Sequence, residues 1–248
     1  MKIFCLMRIH FISWILVFTS MVGVLSAQTD SYVMQRALQR YTEAYGGGRD
    51  ATALSSISIE GTQTQDGNTH EFLLRKKRPN SIRYRLGLGE NSVTIGYDGR
   101  TGWMQVQDGT EVTTRLLTKG ELQIVKNEAT FDSPLFHHLQ NRYNDVEMVG
   151  RDTVEAQNVF VYYVRESNGQ RSRYYLDAQE PYVLKRELLN DQDEVILSTY
   201  YRDYRQVQGY PFAFEIENRV GDSVVSTVKV ENITANPGLL SFYFTMPK

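Results

Sequence analysis

The chain has 248 residues, of which 23% are charged, with 27 basic and 29 acidic side chains and a formal net charge of −2. This length accommodates one large all-β domain or two small ones. The charge balance argues against nucleic-acid binding, which requires a concentrated basic surface.

The first 27 residues have the layout of a secretory signal peptide. Lys2 and Arg8 supply positive charge, an apolar run follows from Phe11 to Leu25, and the segment ends at the small residue Ala27. We therefore predict that residues 1–27 are a cleaved export signal. The alternative is that the uncharged run is kept as a membrane anchor.

Residues 28–248 are predicted to form a single exported domain. The signal contains two basic residues and no acidic ones, so its removal leaves 25 basic and 29 acidic side chains, a net charge of about −4. Cys5, the single cysteine, lies in the signal. The mature chain therefore has no disulfide, and it has no cysteine at the cleavage point to carry a lipid.

A helix is predicted at the start of the mature chain. Val33, Ala37, Leu38 and Tyr41 are spaced by three and four residues, which places them on one helical face. Three glycines at 46–48 should end this helix, because glycine readily adopts the left-handed conformation found at helix C-termini.

From Ile57 onward the apolar period changes to two, which is typical of β-strands. Turn signals such as Asp66-Gly67, Pro79-Asn80 and Asp98-Gly99 separate the strands. An interruption at residues 118–142 is predicted to hold one or two short helices. The predicted strands span residues 57–62, 70–76, 81–86, 92–97, 102–106, 111–116, 145–150, 158–166, 170–176, 182–189, 195–204, 212–219 and 223–233, with a last short strand at 242–244.

One meandering antiparallel sheet is the simplest arrangement of these strands. A sheet of about a dozen strands cannot stay flat, because strand twist curls it. It can form a sandwich, a closed barrel or a half-open barrel whose mouth needs a cover. The N-terminal helix and the mid-chain helical insert are the candidate covers.

The sequence contains no recognisable catalytic constellation. A serine nucleophile elbow, a phosphate-binding loop and a cysteine–histidine pair are all missing, so we predict that the protein is not an enzyme and uses no cofactor. His137 and His138 are adjacent, and on a helix their side chains diverge by about 100°. We therefore predict no metal site.

Alternating apolar residues are the main candidates for a functional surface. They either fill a closed core or line a concave cavity, and the sequence pattern allows both. Residues within each predicted strand share a face when they are two apart. The candidate cavity-lining residues are Phe72, Leu74, Ile82, Tyr84, Leu86, Val93, Ile95, Tyr97 and Trp103.

Arg78 is the candidate for a specific polar role. It follows Lys76 and Lys77 and precedes Pro79 at a predicted rim of the sheet. One interpretation is a solvated basic turn. The other is that its guanidinium group binds carbonyl oxygens at the C-terminal end of a helix and so holds a helical lid.

Two motifs in order resemble those of the outer-membrane lipoprotein-sorting proteins, the LolA/LolB-like family. The first is Lys77-Arg78-Pro79-Asn80, and the second runs from Asp98 to Trp103 as Asp-Gly-Arg-Thr-Gly-Trp. Weaker similarities occur at 41–48, 201–204 and 242–247, so the resemblance covers nearly all of the mature chain.

The resemblance implies a half-open, unclosed β-barrel with a helical lid that Arg78 latches. It implies a monomeric carrier in the periplasm of a Gram-negative bacterium. The carrier would bind acyl chains of lipoproteins or of another lipid, take them from an inner-membrane donor and pass them to an outer-membrane acceptor. The alternative is a non-enzymatic cell-envelope interaction or sensor protein with the same fold and a filled interior.

Overall fold

The structure is a computed structural model that describes residues 32–45, 54–87, 90–136, 145–166 and 168–247. The predicted signal at 1–27, the glycines at 46–48 and the histidines at 137–138 lie outside the described residues.

Thirteen strands form one antiparallel sheet that is not closed, and each of the thirteen strands predicted between residues 57 and 233 overlaps an observed one. Their order across the sheet is β6-β5-β4-β3-β2-β1-β13-β12-β11-β10-β9-β8-β7. The strands are β1 (Ser56–Gln65), β2 (Asn68–Lys77), β3 (Ser81–Leu86), β4 (Asn91–Tyr97), β5 (Gly102–Asp108), β6 (Glu111–Leu116), β7 (Asp145–Val154), β8 (Gln157–Arg165), β9 (Arg171–Asp177), β10 (Val183–Leu189), β11 (Val195–Val207), β12 (Tyr210–Val220) and β13 (Ser223–Ala235).

The first and last strands of the meander meet in the middle of the sheet. β1 pairs with β13, with Ile59 opposite Ile233, while β6 and β7 form the two free edges. Two helices accompany the sheet, so the predicted open, lid-covered β-barrel is confirmed. The inner, concave face is the one on which both helices lie.

The N-terminal helix α1 (residues 32–44) covers the inner face of β8, β9 and β10. Its apolar side, including Leu38 and Tyr41, packs against Tyr162, Tyr174 and Leu176 of the sheet. Arg40 adds two hydrogen bonds of 2.8 Å from its guanidinium group to main-chain carbonyls of the β9–β10 connection. α1 is therefore a firmly packed wall of the barrel.

The second helix, α2 (Lys119–Ala129), lies over the other end of the inner face. Its side chains Leu122, Val125 and Ala129 pack against Ile82 and Tyr97 of the sheet. Only Ala129 of the helix is fully buried, so α2 is held by far less apolar contact than α1.

The prediction of a last short strand at 242–244 is wrong. Residues Ser241–Phe244 form a 3-10 helix that packs on the outer face of the sheet. The indole nitrogen of Trp103 donates a 2.8 Å hydrogen bond to the carbonyl of Phe244, and Arg83 donates to the carbonyl of Tyr243. These side-chain donors satisfy main-chain carbonyls that a further strand would have paired with a neighbour.

Gly96 makes room for the Trp103 indole on this outer face. The two residues are cross-strand partners, and a Cβ at Gly96 would lie 2.3 Å from the indole ring. We predict that Gly96→Ala lowers the free energy of unfolding by about 1–3 kcal/mol, because the fully buried ring has no space to move into. Chemical denaturation measures this change.

Gly120→Ala is the matched control. Gly120 lies in the first turn of α2, where an added Cβ meets nothing within 4 Å. This substitution should leave stability unchanged or raise it by up to about 1 kcal/mol, because alanine favours helix more than glycine does. Equal effects of the two variants would contradict the close packing at Gly96.

Candidate binding cavity

A cavity of about 740 Å³ lies over the middle of the inner face. α1 covers one end of this face and α2 the other, so within the described residues neither helix packs on the central strands β1 and β13. The cavity is the space that the two helices leave between them.

Apolar side chains form most of the cavity wall. They come from strands on both sides of the β1–β13 pair and from α2, and they include Ile57, Ile59, Leu74, Ile82, Ile95, Val125, Ile216, Val228, Val230 and Ile233. Six tyrosines from the sheet and from α1 and its C-terminal end also line the cavity, namely Tyr41, Tyr45, Tyr84, Tyr174, Tyr201 and Tyr204.

Five of the nine predicted cavity residues line this space, namely Phe72, Leu74, Ile82, Tyr84 and Ile95. They share a face because Leu74 is the cross-strand partner of Tyr84, which in turn pairs with Ile95.

The other four predicted cavity residues lie elsewhere. Leu86 and Val93 share the inner face but are not among the lining residues. Tyr97 also points inward, where it is buried beneath α2.

The prediction that Trp103 lines the cavity requires a correction. It pairs with Gly96, one residue away from Ile95, and alternation therefore places it on the opposite, outer face.

Arg78 joins the sheet to the segment that follows α2. Its guanidinium group forms an ion pair with Asp132 and lies 4.7 Å from the centre of the Phe131 ring. Its Nε donates a 2.7 Å hydrogen bond to the carbonyl of Leu54, the residue that leads into β1. The side chain is only 19% exposed, so it is not a solvated turn residue.

The helix-end carbonyl is bound by Lys76 rather than by Arg78. Lys76 Nζ donates a 2.8 Å hydrogen bond to the carbonyl of Thr130, at the C-terminal cap of α2. Burial lowers the pKa of Lys76, while the charges of Glu128 and Asp132 oppose that shift. The predicted helix-holding role is therefore divided between two basic residues two positions apart.

A second set of polar contacts ties α2 to the opposite half of the sheet. Asn127 donates a 2.9 Å hydrogen bond to Gln170 in the β8–β9 connection, and Gln170 donates a 3.0 Å bond to Glu166. α2 thus spans the gap between β2–β4 and β8–β9, held on both sides by polar side chains.

The start of α2 is closed by a capping box. Thr118 and Glu121 bond each other's main-chain N–H groups, and Arg115 donates hydrogen bonds of 2.8 and 2.7 Å to the Glu121 carboxylate. Hydrogen bonds from Arg115 and Thr118 lower the pKa of Glu121 to about 2.

Six charged side chains line the cavity, three basic and three acidic, so its wall is electrically balanced. The basic ones are Lys76, Arg78 and Arg186, and the acidic ones are Glu128, Asp132 and Glu166. Burial raises the pKa of Tyr41 to about 12 and also raises the pKa of Tyr174, Tyr201 and Tyr204, so these phenols remain neutral at physiological pH.

Sequence reasoning missed Lys76, Asp132 and the Asn127–Gln170–Glu166 contacts as parts of the site. Lys76 and Arg78 are two residues apart, which is the spacing of side chains on one face of a strand. This spacing was the available signal that the two residues act together. Nothing in the local sequence pairs Asn127 with Gln170, because 43 residues separate them.

Within the described ranges, no helix is long and apolar enough to cross a bilayer. No group of three or more histidine, cysteine, aspartate or glutamate side chains in these ranges is arranged to hold a metal ion.

No protein-family model and no curated protein matches the sequence of this chain. Solved structures do match its fold. A DUF1329 family protein from Desulfovibrio piger has a TM-score of 0.59 at 10% identity, with 87% of this chain and 97% of that chain covered. A LolA superfamily protein from Nitrosomonas europaea has a TM-score of 0.56 at 8% identity, with 85% and 96% covered.

A putative outer membrane lipoprotein-sorting protein domain from Vibrio parahaemolyticus matches with a TM-score of 0.50 at 13% identity, over 85% of this chain and 97% of that one. The chain therefore has the fold found in LolA-superfamily and DUF1329 proteins. This agrees with the resemblance of its motifs.

Glu166 provides a pH-dependent test of the polar contacts beside the cavity. Burial raises its pKa above the ordinary value of 4.5, so ionisation costs more in the folded than in the unfolded state. Wild-type stability should fall as pH rises from 4.5 through the raised pKa. We predict that Glu166→Gln is more stable than wild type at neutral pH and that this gain disappears in acid, as measured by thermal unfolding.

Glu121→Gln should behave in the opposite way. Because the pKa of Glu121 is lowered to about 2, its carboxylate stabilises the folded state above pH 4.5 and loses this effect as pH falls toward 2. This variant should be less stable than wild type at neutral pH, and the difference should shrink in acid. The same pH dependence for both variants would contradict the assigned environments.

Proposed function

We propose that the protein is a periplasmic carrier, not an enzyme, that holds the acyl chains of lipoproteins or of another lipid and moves them toward the outer membrane. The observation that carries this proposal is the aliphatic cavity of about 740 Å³ between the sheet and its two helices. Cavities of roughly 300–1,000 Å³ are typical of small-molecule sites. The same empty volume disfavours a sensor protein with a filled interior.

The cavity chemistry suits hydrocarbon cargo. Each methylene group that leaves water contributes about 0.8 kcal/mol, so one long acyl chain contributes on the order of 10 kcal/mol before its ordering costs. The neutral tyrosines and the balanced charges of the wall add no net field that would favour a strongly ionic ligand.

Release requires a cover that competes with the cargo. α2 contributes one fully buried and two partly buried apolar residues, and polar contacts at Lys76, Arg78 and Gln170 hold its C-terminal part and the segment after it. Ile124 of α2 lines the cavity but is 66% exposed, which is the environment expected at a mouth. An acyl chain that displaces α2 exchanges these polar contacts for water, so binding can be strong and still reversible.

The predicted export signal and the fold support the proposed compartment and partners. The domain from Vibrio parahaemolyticus that shares this fold is described as an outer membrane lipoprotein-sorting protein domain. By analogy we propose a monomer that receives cargo from an inner-membrane donor and delivers it to an outer-membrane acceptor.

Filling the cavity should prevent acyl binding. Ile216 of β12 lines the cavity, so Ile216→Trp places a large ring in the space that a chain would occupy. We predict that this variant binds an environment-sensitive apolar dye roughly tenfold or more weakly than wild type, measured by fluorescence titration. Lipid extracted from the purified wild type should likewise contain acyl chains that the variant lacks.

Glu215→Trp is the matched control. Glu215 is adjacent to Ile216 and is exposed on the other face of the same strand. It should bind dye as wild type does. Absence of dye binding and of co-purifying acyl chains in the wild type itself would overturn the carrier proposal.

Removing the Arg78 latch should make the carrier retain its cargo. A hydrogen bond to a charged group contributes about 1.5–3 kcal/mol, so Arg78→Leu should weaken closure of the empty form and raise acyl affinity roughly tenfold or more. We predict slower transfer of a fluorescent fatty acid from the loaded variant to acceptor vesicles than from loaded wild type.

Arg100→Leu is the control for this test. Arg100 lies exposed in the β4–β5 turn at the same rim of the sheet. Its transfer rate should equal that of wild type, and thermal unfolding should show that both variants are folded. Transfer by Arg78→Leu at the wild-type rate would refute the latch.

A further inference from the structure

Arg186 is the one basic residue of the cavity wall that does not take part in holding α2. It lies on β10, paired with Tyr174 of β9 and Thr199 of β11, and its side chain faces the cavity. Its Cζ is 5.5 Å from the centre of the Tyr174 ring. Lys76 and Arg78, in contrast, bind groups at the C-terminal end of α2 or just beyond it.

The hydrogen bonds of Arg186 are incomplete. A guanidinium group has five N–H donors. Within the described residues, Nη2 donates to the hydroxyl of Ser172 at 3.3 Å, and the buried Nε has no acceptor. Buried donors are normally satisfied, and leaving one without a partner costs about 1–3 kcal/mol. Nη1 also has no acceptor among the described residues, and because Nε is enclosed by protein, Nη1 is the donor open to a ligand in the cavity.

The surroundings determine what kind of acceptor fits. Burial acts to lower the pKa of Arg186 and the nearby Glu128 and Glu166 act to raise it; the pKa is raised overall, so the group stays cationic. The two nearby carboxylates would repel a multiply charged anion such as phosphate. A carbonyl oxygen accepts guanidinium hydrogen bonds without bringing a full negative charge.

We propose that Arg186 binds the acyl carbonyl of the cargo, in an ester, an amide or a carboxyl group, and so fixes which end of the lipid lies on the β10 side of the cavity. This inference rests on the proposed carrier function and gives its ligand an orientation. β10 is four strands from β1, or roughly 19 Å along the curved sheet at the usual strand spacing. The hydrocarbon tail then extends from Arg186 across β11 to β13 toward Ile59 and Ile95.

The test compares ligands that differ only in the carbonyl group. Displacement of an apolar dye by methyl laurate, lauric acid and dodecane is measured for wild type and for Arg186→Met, which keeps an unbranched apolar side chain. We predict that the variant binds methyl laurate roughly tenfold more weakly while its affinity for dodecane is unchanged, because one charge-assisted hydrogen bond is lost. Arg186→Lys, which retains the charge but not the planar fork, should show an intermediate loss.

Lauric acid and methyl laurate distinguish a free carboxylic acid from an esterified lipid as the source of the carbonyl. A larger loss for lauric acid identifies a free carboxylic acid as the preferred group, and a larger loss for methyl laurate identifies an esterified lipid; either supports the inference. Arg165→Met, a substitution of an exposed arginine at the end of β8, should leave all three affinities unchanged.

Two negative binding results would overturn two different proposals. Equal loss of dodecane and methyl laurate affinity in Arg186→Met, or loss of neither, would overturn the carbonyl site while leaving the apolar cavity in place. Failure of wild type to bind any of the three ligands would instead overturn the carrier function itself. If Arg186→Met does not fold, Arg186→Lys alone decides, because an unchanged ratio of methyl laurate to dodecane affinity would also refute the site.

Discussion

The inner face of the open sheet is larger than two helices can cover, and the rest of the structure depends on this mismatch. Thirteen twisted strands curl into a surface whose apolar side must be removed from water. α1 buries the part over β8–β10, and α2 protects the part over β3 and β4. Neither helix covers the aliphatic strip along β1 and β13.

The two helices differ in how they are attached, and this gives them different roles. α1 contributes several fully buried apolar residues and belongs to the core. α2 begins with a capping box, and near its other end Lys76, Arg78 and Gln170 make polar contacts with the helix or with the segment that follows it. Polar contacts of this kind can be exchanged for water at modest net cost, whereas apolar burial cannot. α2 is therefore attached less firmly to the sheet than α1.

Turn residues and period-two alternation were sufficient to predict the strands, because both signals are local, whereas the open, covered form of the sheet was predicted from the resemblance of the motifs. Features that depend on cross-strand register were predicted less well. Trp103 was expected in the cavity, but it pairs with Gly96 and so faces outward. Arg186 and Gln170 gave no local signal, since their neighbours come from distant parts of the chain. The motif around Arg78 pointed to a specific polar contact of this residue, while its partner Asp132 became evident only from the packing of the segment after α2.

Isoleucine methyl groups offer the most direct test that hydrocarbon occupies the cavity. Seven of the eight isoleucines in the described residues line it, namely Ile57, Ile59, Ile82, Ile95, Ile124, Ile216 and Ile233, whereas Ile196 is 46% exposed and lies elsewhere. Nuclear Overhauser effects between labelled isoleucine methyls and the methylenes of unlabelled lauric acid should appear for the cavity set and not for Ile196. Contacts with Ile196 alone, or with no isoleucine, would contradict the account.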